Sequence, residues 1–439
     1  MADYVATAPR RWAPVAEREA VRAIVDTVGC MIAGVREAGV HRVLNGIRRW
    51  GARGTVPTVI KGQTLDAPWA ALVNGTAAHA LDFDDAMEVA QAHGSAALVP
   101  ALLALATEEA SSGCEIVDAL IVGTEFMYQL GRCVNKAHYA KGWHCTSTIG
   151  APAVAAACAR LLRLDADRAR NAIALATSLS GGSKCQFGTD TKPLHAGLAA
   201  HNGLMAARLA ASGVSASEEA FEGRFGFAAL MAGPEAPGFE EPAEPSIEQP
   251  AIVRPGLWFK LYPCCASAHR SMDALDTMRI EHAIPNDAVE RVTASVYEIG
   301  AQNLAFREPD NEQQARFSLP YCLATLMLDG QVTLSSFSSS MIHRRAIRDA
   351  LPKFVMTVIR SSRRAKPRVR MRGRPSRSSS GVASNTTIAS CSRADTRESR
   401  CPMRRSTGNS CNAFRARCRK RALGCRPESG WNSVRRDLR

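Results

Sequence analysis

The chain has 439 residues, enough for two domains, and 46% of them are hydrophobic, which excludes a disordered or fibrous protein. Its net charge of +14 suggests a nucleic-acid partner until the charge is located: residues 354–439 hold 21 Arg and 2 Lys against 2 Asp and 2 Glu. The rest of the chain carries a net charge of −5, which excludes a broadly basic binding face there.

The first twenty residues contain no apolar run of the kind a secretory signal needs, and no apolar stretch reaches the length of a membrane span. Nine cysteines before residue 354 are scattered with no CxxC pair, so the expected setting is the reducing cytoplasm. Residues 17–35 place Val21, Ile24, Val25, Val28, Met31 and Ile32 at helical spacing. Helical text follows at 68–81, 97–109, 115–131, 149–162, 167–179 and 193–211. Much of it is rich in Ala and Gly, whose small side chains let helix axes approach closely. An all-helical domain is therefore expected over residues 1–250, ending in a Pro- and Glu-rich surface segment.

The texture then changes. "VERVTASVYEIG" alternates as a strand does, and "EQQARFSLPYCLATLMLDG" returns to helix and stops at Gly330. The expected fold class is mainly α: a large all-helical domain plus a smaller α+β domain over 251–353. One strand is not a sheet, and no partner-strand text is recognisable after it, so that small domain is expected to be incomplete. From Phe354 the text is dominated by Arg and Ser, with cysteines at 391, 401, 411, 418 and 425 in no zinc-binding pattern. Residues 354–439 are accordingly expected to be a disordered tail produced by a frameshift. A natural nucleic-acid-binding arm is the alternative, and even a frameshifted tail could bind nucleic acid non-specifically.

Four stretches carry the candidate chemistry. In "HALDFDDAMEVAQAHG", Asp82 and Asp85 would share a helix face with each other and nearly with His79, and His93 lies eleven residues beyond Asp82. Capping of a helix by the aspartates, acid–base work and metal binding all compete for this stretch; metal is the weakest, since no HxxxH or ExxH accompanies it. In "KGWHCTSTIG", His144 precedes three hydroxyl residues and a helix start, which suits an anion. In "GTDTKPLHAGLAAHNG", Lys192 stands at the head of a helix beside His195. In "WFKLYPCCASAH", Lys260 and His269 flank a tight turn before a helix.

Taken in order, these four motifs closely resemble the MmgE/PrpD family over residues 12–353. The resemblance implies a lyase or epimerase of small polycarboxylates, with 2-methylcitrate dehydratase and cis-aconitate decarboxylase as the leading types. It also implies a homodimer, no metal or other cofactor, and an active site in the cleft between the two domains. Carried over by motif, the catalytic candidates are Asp82, His93 and His144, and the substrate-binding candidates are Lys192, Lys260 and His269. Histidine suits proton removal or delivery next to a carboxylate, and lysines suit the charge that develops there. Asp82 would orient a histidine or donate a proton. Ala86 stands where many relatives have Thr, and Cys265 where the decarboxylase branch tends to have His. A dehydratase is therefore the expected activity, with decarboxylation or epimerisation as the alternative. With a wall of the cleft expected to be missing, the chain is also expected to be poorly soluble or inactive.

Overall fold

A computed structural model describes residues 1–359 apart from 235, 237 and 240–244, together with 367–373 and 385–389. All of these lie in one compact unit, Met1–Ser390. The five tail cysteines lie outside the described residues.

Small residues dictate how the first half packs. Its main helices are α1 (Pro14–Gly34), α2 (Ala67–His79), α3 (Gly94–Glu108), α4 (Gly113–Val134), α5 (Gly150–Leu161), α6 (Ala166–Ser178) and α7 (Thr191–Ala211). Each lies within a few residues of its predicted span. Every residue of α5 is buried, and α7 packs across both α2 and α5. Gly75 faces Gly197 at the α2–α7 crossing, where a Cβ on Gly75 would come within 2.9 Å of the Gly197 Cα. A Cβ on Gly197 would run into the Leu72 carbonyl oxygen and Thr76 Oγ1. Backbone cannot step aside as a flexible side chain can, so Gly197→Ala is expected to cost about 1–3 kcal/mol. Urea unfolding should show a lower midpoint at unchanged slope; an unmoved midpoint would refute this crossing.

Two features depart from the prediction. Helix α1 forms and buries Met31, with Ile24 and Val28 packed partly buried against the core, but the rest of its buried face is Ala16, Ala20, Ala23, Thr27, Cys30 and Gly34, and Val21, Val25 and Ile32 are exposed. The small face wins because α1 lies close against α2: a Cβ on Gly34 would collide with the Ala77 carbonyl. The domain is also not purely helical, since Val56–Pro57 and Thr64–Leu65 form a short antiparallel ladder.

The second domain holds α8 (Ala266–Glu281), β1 (Val289–Tyr297), α9 (Leu319–Asp329), β2 (Phe354–Ile359), β3 (Arg368–Gly373) and β4 (Asn385–Ala389). Ser318 caps α9 through the Tyr321 N–H, and Gly330 ends it in the left-handed conformation, as predicted. The strands form one sheet in the order β2-β1-β3-β4. β2 runs parallel to β1 with Phe354 opposite Val292, while β3 is antiparallel to β1 and β4 antiparallel to β3. The expectation that no partner strands follow residue 353 is thus overturned.

The reason lies in "RVRMR". Val369 and Met371 point into the core beside Val292, Ala294 and Phe354, while Arg368, Arg370 and Arg372 are exposed. The arginines occupy the solvent face of a period-2 strand and hide its alternation from a reading by composition. The premise behind the expected insolubility, a sheet with one strand, is removed with it.

Candidate active site

Helix α2 ends at His79 and α3 begins at Gly94, so the acidic stretch is a loop rather than the helix its spacing suggested. Asp82 sits in the left-handed region at φ 50°, and its carboxylate is buried. His93 is the N-cap residue of α3, and Asp85 binds the Ser95 N–H at 3.3 Å with a short contact to Ser95 Oγ. Two further links hold this loop. The Thr146 hydroxyl accepts the His93 N–H at 3.1 Å, and Ala86 exchanges backbone bonds of 3.0 and 2.8 Å with Trp258. That second link delivers the segment carrying Lys260.

Asp82 is the hub. The Lys192 ammonium, from the first turn of α7, bonds Asp82 Oδ1 directly. The Lys260 Nζ lies 3.0 Å from Oδ2 and donates to the Asp82 carbonyl at 2.6 Å. All three side chains are almost wholly buried. Burial alone would raise the Asp82 pKa, but Lys192 and then Lys260 hold it well below the usual carboxylate range. The two lysines are not equivalent. Burial outweighs the carboxylate for Lys192 and lowers its pKa, whereas Asp82 and Asp84 together outweigh burial for Lys260 and raise it.

Behind the hub, Asp84 accepts from His79 Nδ1 at 2.8 Å and lies 3.2 Å from His93 Nδ1. Against the cost of burial, these two imidazoles keep Asp84 ionised. His79 is wholly buried, which lowers its pKa to about 3, so it is a neutral spacer between His93 and His144 with ring centroids 4.5 and 5.8 Å away. His144 bonds His195 through Nδ1 to Nδ1 at 2.9 Å, with Phe187 edge-on to its ring. Burial, and then Lys192, push His144 well below the ordinary histidine value.

Asp85 is a carboxyl with no cation beside it among the described residues, and burial raises its pKa to about 7. The folded value lies above the unfolded one, so its contribution to stability is complete below about pH 3.9 and disappears as pH rises through 7. Asp85→Asn, which imitates the protonated acid, should therefore gain on the wild type between pH 4 and 7, by up to about 1.4 kcal/mol per pH unit, and level off above. Thermal unfolding at pH 5 and pH 8 would reveal this; a pH-independent difference would mean that Asp85 is ionised throughout.

Five of the six residues singled out from the sequence, Asp82, His93, His144, Lys192 and Lys260, come together. His269 stands apart: its Nε2 contacts the Cys264 carbonyl at 3.1 Å and its ring meets Tyr262. Of the hydroxyls after His144, Thr146 holds His93 and Thr148 bonds His138 at 2.7 Å. His79, Asp84 and His195 are additional members. The first two stand inside the quoted acidic stretch, and His195 is one helical turn from Lys192, a spacing that marks a shared face.

Among the described residues, His79, Asp82, Asp84 and His93 offer ligand atoms within 4.8 Å of one another. Asp84 is already committed to two histidines and Asp82 to two ammonium groups. A divalent cation there would have to compete with Lys192 and Lys260 for the same oxygens.

A helical domain and an α+β domain meeting at a buried Lys–Asp–Lys hub ringed by histidines define a class of acid–base enzyme for anionic substrates. Residues 1–240 match the MmgE/PrpD N-terminal domain and residues 262–380 the MmgE/PrpD C-terminal domain, so the chain belongs to the MmgE/PrpD family, a lyase-type family acting on small polycarboxylates. The match runs beyond residue 353, where the sequence resemblance was expected to stop. The chain is 31% identical to the cis-aconitate decarboxylase of Homo sapiens over 347 residues, 76% of this chain and 70% of that protein. It is 30% identical to that of Mus musculus over 352 residues, with the same coverage. It is 27% identical to that of Aspergillus terreus over 339 residues, 72% of this chain and 68% of that protein. No helix among the described residues is long and apolar enough to cross a membrane.

Proposed function

We propose that the chain is a metal-independent carboxy-lyase that decarboxylates cis-aconitate or a closely similar unsaturated polycarboxylate. The observation that carries this is the convergence of the Lys192 and Lys260 ammonium groups on Asp82, beside His144, in a chain whose relatives are named cis-aconitate decarboxylases. The lysines have N–H donors to spare for substrate carboxylates. Asp82 is ionised, so its task is to hold the two ammonium groups in place, and the role of proton donor falls to a histidine. In the reaction His144 delivers a proton to the vinylic carbon, the carboxylate on the neighbouring methylene leaves as CO2, and its bonding pair forms the new terminal double bond. Burial keeps water from competing for the developing negative charge. His93, held by Asp84 and by the Asp85 carbonyl at 2.9 Å, faces the same hub and lies 3.9 Å from Asp82 Oδ1.

The dehydratase reading ranks second. It is favoured by Cys265, a buried thiol whose pKa burial raises to about 11, which offers no proton carrier at the position where the decarboxylase branch tends to have His. The decisive experiment supplies the full chain with cis-aconitate and, separately, with 2-methylcitrate, and follows CO2 and products by NMR before and after dialysis against a chelator. CO2 from cis-aconitate with chelator-insensitive rate is expected. An alkene from 2-methylcitrate without CO2 would establish the second reading, and no reaction with either would overturn both.

We also propose that the protein is a cytoplasmic homodimer. The exposed Val21, Val25 and Ile32 on α1 are an apolar stripe of the kind a second copy covers.

A further inference from the structure

We propose that His195 is a positioning residue for proton transfer: it shares one proton with His144 and thereby decides whether His144 presents a donor or an acceptor at Nε2. The inference rests on the lyase reading above and deepens it. Its basis is the Nδ1–Nδ1 bond of 2.9 Å, which holds only if one ring donates and the other accepts. When both rings are neutral, the shared proton belongs to one of them, and the other must carry its proton on Nε2. If His144 owns the shared proton, its Nε2 is a bare acceptor. If His195 owns it, His144 carries a donor at Nε2. Exchanging the two neutral states takes two proton moves: the shared proton crosses the hydrogen bond, and one Nε2 loses a proton to water while the other gains one.

The surroundings fix both rings. Lys192 and His195 are three residues apart on α7, so one helix sets the ammonium on Asp82 and the imidazole on His144. Gly182, at φ 131°, accepts the His144 N–H through its carbonyl at 3.0 Å. A Cβ on Gly182 would come within 3.3 Å of His195 Cδ2 and 3.0 Å of Ser147 Cβ, so the backbone lies directly against the pair. The charged and titratable groups acting on His144 are Lys192, His79, His195 and His93; on His195 the charged group is Lys192. Both rings are pushed down, first by burial, which leaves the pair neutral at rest.

A bound polycarboxylate reverses the local field and favours an extra proton from water on the pair. In turnover His144 gives its Nε2 proton to the substrate carbon, the shared proton settles on His144 Nδ1, and His195 keeps its Nε2 proton. Both rings end neutral, and CO2 leaves without taking a proton.

The test uses the full chain with His195→Asn, whose amide can hold His144 Nδ1 without titrating, and His195→Phe, which keeps the ring volume alone. Expected for both is a fall in kcat of about 10²-fold, with KM within about twofold and a displaced acid limb in the pH profile of kcat. Independently, 15N-histidine spectra with saturating tricarballylate, an unreactive saturated analogue, should show His144 Nε2 in the protonated form in the wild type, coupled to proton uptake in calorimetry. In His195→Asn both the protonated signal and the uptake should be lost. An Asn variant with wild-type kcat, pH profile and spectrum overturns the proposal. An inactive wild type that retains this spectrum and uptake refutes the lyase reading while upholding the pair.

Discussion

Asp82→Asn is expected to lower kcat/KM by roughly a thousandfold and to destabilise the fold by about 3–5 kcal/mol. Asparagine keeps the shape of the side chain and tolerates the left-handed backbone at φ 50°, so the substitution removes charge and little else. What remains is two ammonium groups, both buried, with their shared carboxylate gone. Breaking one partner out of a buried ionic set leaves the others desolvated and unpaired, which is why the expected cost exceeds that of any surface pair. Lys192 and Lys260 would then be driven to deprotonate or to separate, and the substrate carboxylates would lose their partners. Chemical unfolding and steady-state kinetics on the same preparation check both halves. A variant as stable as the wild type would mean that the two lysines do not rely on Asp82.

The second large effect concerns the sheet. A chain ending at Lys353 is expected to be insoluble, whereas one ending at Ser390 should match the full chain in thermal midpoint and turnover. Ending at Lys353 removes the buried side chains of Phe354, Val369 and Met371 and uncovers Val292 and Ala294 on β1. At about 1.5–3 kcal/mol for each large apolar side chain, the loss approaches the whole stability of an ordinary domain, about 5–15 kcal/mol. It also bares both edges of β1 to other chains. A soluble, active protein ending at Lys353 would contradict the sheet order. We further propose that any change of reading frame lies beyond Gly373, since β2 and β3 both pair with β1 and the family match extends to residue 380.

The helices were legible because Ala, Leu and Val recur at 3.6-residue spacing and because Ser318 and Gly330 are the residue types that start and stop a helix. The direction in which α1 faces was not. Hydrophobicity ranks Val above Ala, whereas the contact at Gly34 is decided by how near two backbones can come. β3 was missed for a related reason: three arginines outweigh two apolar residues in composition but not in a strand, where only alternate positions meet the core. At the site, five residues could be named from motifs, yet their roles depended on geometry. Asp82 was expected to orient a histidine or donate a proton, whereas two lysines sit on it, and His195 passed as a neighbour of Lys192 because a single-residue reading does not see helical spacing.

The most direct test of the central claim is turnover of cis-aconitate by the full chain in D2O. Decarboxylation with an allylic shift predicts one solvent deuteron at the former vinylic carbon for each CO2 released, and Asp82→Asn should slow both by the same factor. A product that retains all its carboxylates, or CO2 release without deuterium at that carbon, would contradict the account.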